Sequence, residues 1–367
     1  MPAHTPARAS ALGGSAGQHD WRSALSGLWT RWAQPHFLKP RELHPTRQTP
    51  LPRRVDDRAA PPADTSPSPP GVARFHAGIF DGASRRRYKL FEPASRSVNH
   101  APMLVLLHGC RQGADDFATA TRMNEAAEAA GVVVLYPEQS VSANPLRCWN
   151  WYAVQDPGIP TGDAALIAAM TVALANAHHI DPHRIYVAGM SAGGAMSAVL
   201  ARDYPQLFAA FGVHSGLPAG LAHDLGSAIR LMHKGPIAPI SDDEFGRQDG
   251  LRRATARIVF HGDDDEMVHP SNGVAIHAAA GGSMDAMQLT KTPASQGQHG
   301  YTRHVETRTG GVTQHELWMV HGAGHTWSGG TNTPLRSAAD GPDASSEMLR
   351  FFLQHRRRAE HAEGALR

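Results

Sequence analysis

The stretch that most constrains this chain is Gly189–Gly193, which reads Gly-Met-Ser-Ala-Gly. It follows the β-prone run Ile185–Ala188 and leads into residues 195–204, which favour a helix. A strand that turns tightly into a helix strains the backbone at the turn and exposes that side chain above the sheet, and the flanking glycines avoid collisions with neighbouring elements. The pattern predicts Ser191 as a nucleophile. The alternative is a chance match in a sequence rich in glycine, alanine and serine.

Apolar runs alternate with helix-prone segments on both sides of this motif. A hairpin at one sheet edge is predicted from two β-like runs within residues 73–93. Strands are predicted at 103–107, 132–136, 185–188, 208–213, 258–261 and 314–320, and helices at 115–130, 163–177, 195–204, 272–280 and 344–355. Strands separated by helices pair in parallel through right-handed crossovers. We therefore predict an α/β fold with a mostly parallel, doubly wound sheet and a helical excursion or cap within 216–250.

The first 72 residues differ from the rest in composition. They hold 12 of the 27 prolines and end in a linker rich in proline and serine, which cannot bury enough apolar surface to fold. We expect this region to be disordered, and a short amphipathic helix at 21–38 is the alternative for one part of it. A folded domain is expected at 73–356, followed by a charged tail at 357–367.

Composition and spacing exclude several classes of function. With 35 Lys and Arg against 33 Asp and Glu, the formal net charge of +2 is too near balance for a nucleic-acid binder. No apolar run reaches the roughly 18 residues of a membrane span. The N-terminus lacks the pattern of a secretory signal, so export by the usual route is not predicted. Two cysteines and no His/Glu zinc spacing give no reason to expect a metal.

A serine nucleophile needs a base that takes its proton and a carboxylate that orients the base. In this kind of sheet both partners follow the serine in the chain, the acid first and the histidine second, in loops after later strands. Four carboxylates follow the strand at 258–261, and we select Asp265 from this cluster. A glycine-rich loop after the last predicted strand carries His321 and His325. We select His325 because it lies well into the loop, whereas His321 is at the strand terminus.

Acyl transfer also needs hydrogen-bond donors for the oxyanion that develops on the carbonyl oxygen. The first predicted donor is the backbone N–H of Ala192, directly after the nucleophile, where the helix dipole also favours negative charge. The second is assigned to the backbone of Cys110, in the loop after the strand at 103–107. His108 in the same loop is then a structural residue.

Several of these stretches together resemble one known family. The matching segments are 106–112 (LLHGCRQ), 121–139, 143–152 (with Cys-Trp-Asn-Trp), 186–218, 260–270 and 322–330. The chain is similar over about residues 73–355 to the poly(3-hydroxybutyrate) depolymerase-like esterases, which are α/β hydrolases related to feruloyl and acetylxylan esterases. The resemblance implies an α/β-hydrolase fold and a triad of Ser191, Asp265 and His325.

The resemblance also implies a function. It indicates a serine esterase that hydrolyses carboxylic esters through an acyl-enzyme, with no metal or organic cofactor. The expected substrates are esters of the poly- or oligo(3-hydroxybutyrate) type, and the alternative is a feruloyl or acetylxylan-type carbohydrate esterase. A non-catalytic protein that binds polymer or granule surfaces is the alternative from another class. Family members outside the cell carry a signal peptide, so the resemblance favours an extracellular location while the N-terminus leaves a cytoplasmic one open.

Within the resemblance, two cysteines and three tryptophans gain expected roles. A disulfide between Cys110 and Cys148 would tie the oxyanion loop to the loop that follows Cys148, and two free buried thiols are the alternative. Trp149, Trp151 and Trp327 are expected to line a groove for an apolar ester chain, because aromatic walls suit such a ligand. Packing in the core is the alternative for these rings.

Overall fold

The computed structural model describes residues 71–82, 84–97, 99–153, 162–237, 255–278, 286–307, 311–332 and 336–357. The disorder predicted for the N-terminal region, the alternative helix at 21–38 and nearly all of the charged tail lie outside these residues. The extent of the folded domain, 73–356, stays a prediction.

Ten strands form one central sheet. Their bounds are β1 Arg74–Asp81, β2 Arg85–Glu92, β3 Ala101–Leu107, β4 Val133–Pro137, β5 Ile180–Met190, β6 Ala210–His214, β7 Ala256–Gly262, β8 Ala286–Thr292, β9 Tyr301–Thr307 and β10 Thr313–Val320. The order across the sheet is β1-β2-β4-β3-β5-β6-β7-β10-β9-β8. The six central strands, β4 to β10 in that order, pair in parallel. The prediction of a mostly parallel sheet is confirmed.

Helices cover both faces of the sheet. They are α1 Ala114–Thr121, α2 Met123–Ala130, α3 Gly162–Ala177, α4 Ala192–Asp203, α5 Leu225–Lys234, α6 Ser271–Ala278 and α7 Ala344–Phe352. None of the helices among the described residues is long and apolar enough to cross a membrane.

The β3 strand shows why the sheet needs two layers of helices. All seven of its residues are buried, and neighbouring side chains point to opposite faces. Met103, Val105 and Leu107 join the apolar cluster that contains residues of α3 and α4. Leu104 and Leu106 join the second cluster, with residues of α1, α2 and α7. An uninterrupted apolar run therefore predicts this central strand correctly.

One predicted helix differs from the structure, and one predicted segment is described only in part. The single helix predicted at 115–130 is broken into α1 and α2 at Arg122, whose φ of 54° is left-handed and ends the first helix. The helical excursion predicted at 216–250 includes one helix, α5, among the described residues, and residues 238–250 lie outside them.

The sheet extends further than the sequence predicts. The strand at 314–320 is predicted to be the last one and to follow a helix directly, but β8 and β9 precede it in the chain and continue the sheet beyond it as an antiparallel pair. Two short strands, β11 Trp327–Ser328 and β12 Ser337–Ala338, come after it and pair separately in parallel. The β1–β2 hairpin is antiparallel at the opposite edge, as predicted.

Candidate active site

Three predicted residues follow neighbouring parallel strands at the same edge of the sheet. Ser191 follows β5, Asp265 lies three residues after β7, and His325 lies five residues after β10. The order β5-β6-β7-β10 places one strand, β6, between the serine strand and the aspartate strand. Since the carboxyl ends of parallel strands share one edge, these three residues lie on the side of an α/β sheet where ligands usually bind.

Ser191 occupies a strained turn between β5 and α4. Its φ of 57° and ψ of −121° are rare for a residue with a side chain, and the backbone is held by a 3.0 Å hydrogen bond from its N–H to the carbonyl oxygen of His214. A Cβ on Gly189 would lie 2.5 Å from the carbonyl carbon of Gly193, and one on Gly193 would collide with the carbonyl oxygen of Leu107. The flanking glycines are therefore required by backbone packing, as the sequence predicts.

Asp265 and His325 form a buried hydrogen bond. His325 Nδ1 lies 2.8 Å from Asp265 Oδ2. Because an ionised carboxylate only accepts, Nδ1 carries the proton and Nε2 is the nitrogen that can take another. The second carboxylate oxygen accepts the backbone N–H groups of Met267 and Val268 at 3.0 and 2.9 Å. The side chain of Asp265 is thus fixed on both oxygens.

The charge of Asp265 is stabilised by its partners. Burial alone would raise the pKa of this carboxyl group, but hydrogen bonds and charge interactions with His261 and His325 outweigh it and hold the pKa far below the usual range. His261 Nε2 lies 3.4 Å from Asp265 Oδ2 and 2.8 Å from the carbonyl oxygen of Val268. Asp265 is therefore ionised at neutral pH.

The other carboxylates of the cluster have different surroundings. Asp263 binds the neighbouring loop, accepting from Gly322 N–H at 2.6 Å and lying 2.8 Å from His321 Nδ1. Asp264 and Glu266 are exposed. Of the four carboxylates, Asp265 alone is buried against His325, and His321 pairs with Asp263 instead.

Two backbone amides are available near Ser191. Ala192 is the first residue of α4, where helix N–H groups have no partner in the helix. Within the described residues, the N–H groups of Ala192 and Cys110 donate no hydrogen bond. The loop of Cys110 is braced by a 2.8 Å hydrogen bond from Gly109 N–H to Gln112 Oε1. These amides fit the predicted pair of oxyanion donors.

His108 is buried beneath the same loop. Its Nε2 accepts the N–H of Gln139 at 3.1 Å, and its carbonyl oxygen accepts the indole N–H of Trp149 at 3.1 Å. Burial is the main cause of the lowered pKa of His108. The residue is therefore a structural connection between two loops.

A disulfide joins Cys110 to Cys148, with Cα atoms 4.3 Å apart. The loop of Cys148 is anchored in turn by the buried carboxylate of Asp163, at the start of α3. Asp163 Oδ2 accepts from Gln139 Nε2 at 2.6 Å and from both the backbone and side-chain nitrogens of Asn150 at 3.0 Å. This carboxylate was not predicted from the sequence, because its partners lie 13 and 24 residues away and form no local motif.

The three tryptophans differ in exposure. Trp149 is 1% exposed and Trp327 is 0% exposed, so neither ring offers a wall to a substrate. This corrects the expectation for both. Trp149 packs on His108, and Trp327 packs edge-on against Phe117. Their indole N–H groups are bound inside the protein.

Trp151 remains a candidate substrate contact. It is partly exposed and meets Tyr152 edge to face, with ring centroids 5.6 Å apart. Both rings pack on a small apolar cluster that includes Ala195 of α4 and Val268. Val268 belongs to the turn that carries Asp265, which we call the aspartate turn. Among the described residues, no three His, Cys, Asp or Glu side chains are arranged so that they could hold a metal ion.

A model of the family described as "Esterase PHB depolymerase" matches residues 86–280, about half of the chain. The chain belongs to the esterase PHB depolymerase family. Poly(3-hydroxyalkanoate) depolymerase C of Paucimonas lemoignei is 30% identical over 238 residues, which cover 64% of this chain and 56% of that protein. Feruloyl esterase B of Thermothelomyces thermophilus is 29% identical over 209 residues, covering 52% and 67%.

A third relative of this chain and one solved structure extend the comparison. Acetylxylan esterase A of Emericella nidulans is 32% identical over 155 residues, covering 41% of this chain and 49% of that protein. The chain thus spans between about half and two thirds of the length of these three relatives. The acetyl xylan esterase from Aspergillus awamori superposes with a TM-score of 0.56 at 18% identity, covering 77% of this chain and all of that one. This similarity shows the α/β-hydrolase fold.

Proposed function

We propose that this chain is a carboxylic ester hydrolase in which Ser191 is the nucleophile, His325 the general base and Asp265 the residue that orients it. The observation that carries the proposal is the 2.8 Å hydrogen bond between His325 and a buried, ionised Asp265, at the sheet edge where Ser191 occupies a strained turn. A merely structural serine would not need that strain. Membership of an esterase family agrees with this chemistry.

The first half of the reaction forms an acyl-enzyme. His325 Nε2 takes the proton of Ser191 as Oγ attacks the ester carbonyl, and the oxyanion is stabilised by the N–H groups of Ala192 and Cys110. The carbonyl re-forms as the C–O bond to the alcohol breaks, and His325 passes its proton to the leaving oxygen. Asp265 stays ionised throughout and stabilises the imidazolium.

Water completes the cycle. His325 takes a proton from the water as it attacks the acyl carbonyl, and it returns that proton to Ser191 Oγ as the ester bond to the enzyme breaks. The products are one carboxylic acid and one alcohol for each water consumed. Every step is a proton transfer or an acyl transfer, so the proposal requires neither metal nor organic cofactor.

We propose poly- or oligo(3-hydroxybutyrate)-type esters as the substrate class. The relative named poly(3-hydroxyalkanoate) depolymerase C covers more of this chain than the relatives named feruloyl esterase B and acetylxylan esterase A described above. The partly exposed pair Trp151 and Tyr152 offers an apolar surface beside the aspartate turn, which suits an aliphatic acyl chain. Feruloyl or acetylxylan-type esters are the second candidate class, since relatives with those names also match this chain.

The test compares purified wild type with Ser191→Ala on a short-chain p-nitrophenyl ester and on a fluorophosphonate label. Ser97→Ala is the matched control, because Ser97 is exposed in the turn before β3, at the sheet edge opposite Ser191. We expect wild type and Ser97→Ala to turn over and label, and Ser191→Ala to do neither. Wild type that is inert to both reagents would contradict the proposal and favour a non-catalytic binding protein.

The substrate class needs a second experiment. Release of acid from 3-hydroxybutyrate dimers and trimers is compared with hydrolysis of methyl ferulate and of acetylated xylo-oligosaccharides. The highest kcat/KM for the hydroxybutyrate oligomers supports the first class. A preference for either of the other two esters would replace it while leaving the mechanism in place.

A further inference from the structure

His214 is a buried histidine that the proposed mechanism does not use. It is the last residue of β6, the strand between those that carry Ser191 and Asp265, and it is 1% exposed. Its backbone carbonyl accepts the N–H of Ser191 at 3.0 Å. One end of this residue therefore holds the strained nucleophile turn.

The side chain of His214 holds a different loop. Its Nε2 accepts the backbone N–H of Ser328 at 3.0 Å, three residues after His325. The ring also stacks on Trp327, with centroids 4.9 Å apart and planes 24° apart. The loop of the base is thus bound by both a hydrogen bond and a ring contact.

The two nitrogens of His214 have defined roles. Since an N–H of the backbone can only donate, Nε2 is unprotonated, and Nδ1 carries the proton and lies 3.2 Å from the Ser215 hydroxyl. The ring also stacks on Phe260, with centroids 5.8 Å apart and planes 11° apart. Both nitrogens and the ring plane of His214 therefore have partners that fix the orientation of the imidazole.

We propose that His214 is a positioning residue that fixes the separation of the Ser191 turn and the His325 loop. The inference rests on the proposed function. The carbonyl oxygen and Nε2 are both atoms of His214. The hydrogen bonds from Ser191 N–H and Ser328 N–H therefore connect the nucleophile turn and the loop of the base through a single residue. A shift of about 1 Å between reacting groups is enough to cost about a hundredfold in rate.

Neutral imidazole is required for this role. Burial, with His261 and His325 nearby, lowers the pKa of His214 to about 3, and the charge of Asp265 opposes that shift only in part. Nε2 therefore keeps its lone pair for Ser328 at neutral and mildly acidic pH. Phenylalanine would keep the stacking and lose the acceptor, whereas glutamine would keep an acceptor and lose the ring.

The test compares His214→Phe and His214→Gln with wild type. For His214→Phe we expect kcat to fall by about 10–100-fold with KM changed less than about twofold, because the substrate surface is intact and only the alignment of Ser191 and His325 is lost. For His214→Gln we expect kcat within about fivefold of wild type. The rate of fluorophosphonate labelling should fall in parallel with kcat. Melting temperatures of both variants show how far each change acts through stability alone.

The outcomes separate the two proposals. If wild type is active, Ser191→Ala is inert and His214→Phe matches wild type, the positioning role is wrong and the proposed function stands. Equal losses in His214→Phe and His214→Gln would also overturn it, since the acceptor would then not matter. If His214→Phe does not fold, His214→Met, which fills similar volume without an acceptor at that point, replaces it in the same comparison. An inert wild type overturns the proposed function first.

Discussion

His261 and Asp265 are buried neighbours, with His261 Nε2 3.4 Å from the same carboxylate oxygen that receives the hydrogen bond of His325. His261 also donates to the carbonyl oxygen of Val268, whose own N–H donates to Asp265. The aspartate turn is therefore closed on itself by a residue of β7. Asp265 is ionised because the protein surrounds it with donors, even though it is buried.

The first prediction concerns this carboxylate. Asp265→Asn should lower kcat by about 10³–10⁴-fold, because an amide cannot hold His325 in the tautomer that leaves Nε2 free. The control is Glu266→Gln at the adjacent position. Glu266 is exposed, and this substitution removes the same charge from the same turn. Steady-state kinetics on a p-nitrophenyl ester measure both. Comparable losses in the two variants would mean that the turn acts through its overall charge.

Stability at acid pH should depend on His304. Burial and the neighbouring His277 lower the pKa of His304 to about 4, whereas the unfolded side chain titrates near 6.5. Between these values the unfolded chain binds more protons, so stability falls as pH decreases from about 6.5 to about 4, by about 1.4 kcal/mol per pH unit for this group. Above about pH 7 the group has no effect, because it is neutral in both states.

Urea unfolding at pH 7, 6, 5 and 4 measures this dependence. His304→Gln should reduce the slope by about one proton. His223→Gln should leave it unchanged, because His223 is exposed before α5. Identical slopes in all three proteins would show that His304 is not the group responsible.

The disulfide should support both stability and rate. The disulfide between Cys110 and Cys148, which are 38 positions apart in the sequence, is expected to contribute roughly 2–4 kcal/mol to the free energy of unfolding. The double variant Cys110→Ser with Cys148→Ser should lose that amount. Its kcat should also fall, because the disulfide is one of the bonds that hold the proposed oxyanion amide of Cys110. Chemical denaturation and kinetics on the same samples test both parts, and unchanged kcat would separate the loop from catalysis.

The tryptophans should divide by burial. Trp327→Ala removes a ring that is 0% exposed and should lower the free energy of unfolding by about 3–5 kcal/mol. Trp151→Ala should change stability much less and raise KM for longer acyl chains, because this ring is partly exposed beside the aspartate turn. The expected KM effect of Trp151→Ala is measured with a series of esters from acetate to octanoate. An unchanged series in Trp151→Ala would show that this ring does not contact the acyl chain.

The central sheet could be predicted because its strands are apolar on both faces. Apolar segments such as those of β3 and β7 are predicted to be buried parallel strands because they alternate with helices. Parallel pairing then brings the carboxyl ends of these strands together. The strands β8 and β9 at one edge of the sheet could not be predicted in the same way. In β9 buried residues include Thr302, His304 and Glu306, whose polar side chains give no apolar signal.

Parts of the site depend on contacts that no local pattern records. The carboxylate of Asp163 and the ring of His214 become informative only when distant loops meet around them. Burial of Trp149 and Trp327 was missed for a related reason. An aromatic residue in a loop after a strand has the same sequence context whether it faces a groove or packs beneath it.

The order of strands also affects how the protein is made. In the sheet β10 lies against β7, but β8 and β9 come between them in the chain. While the ribosome is synthesising residues 266–312, β7 has an open hydrogen-bonding edge, and the proposed nucleophile Ser191 and acid Asp265 have been made without the proposed base His325. A chain released at that stage would expose an apolar strand to other chains, so premature termination should give aggregated rather than merely inactive protein.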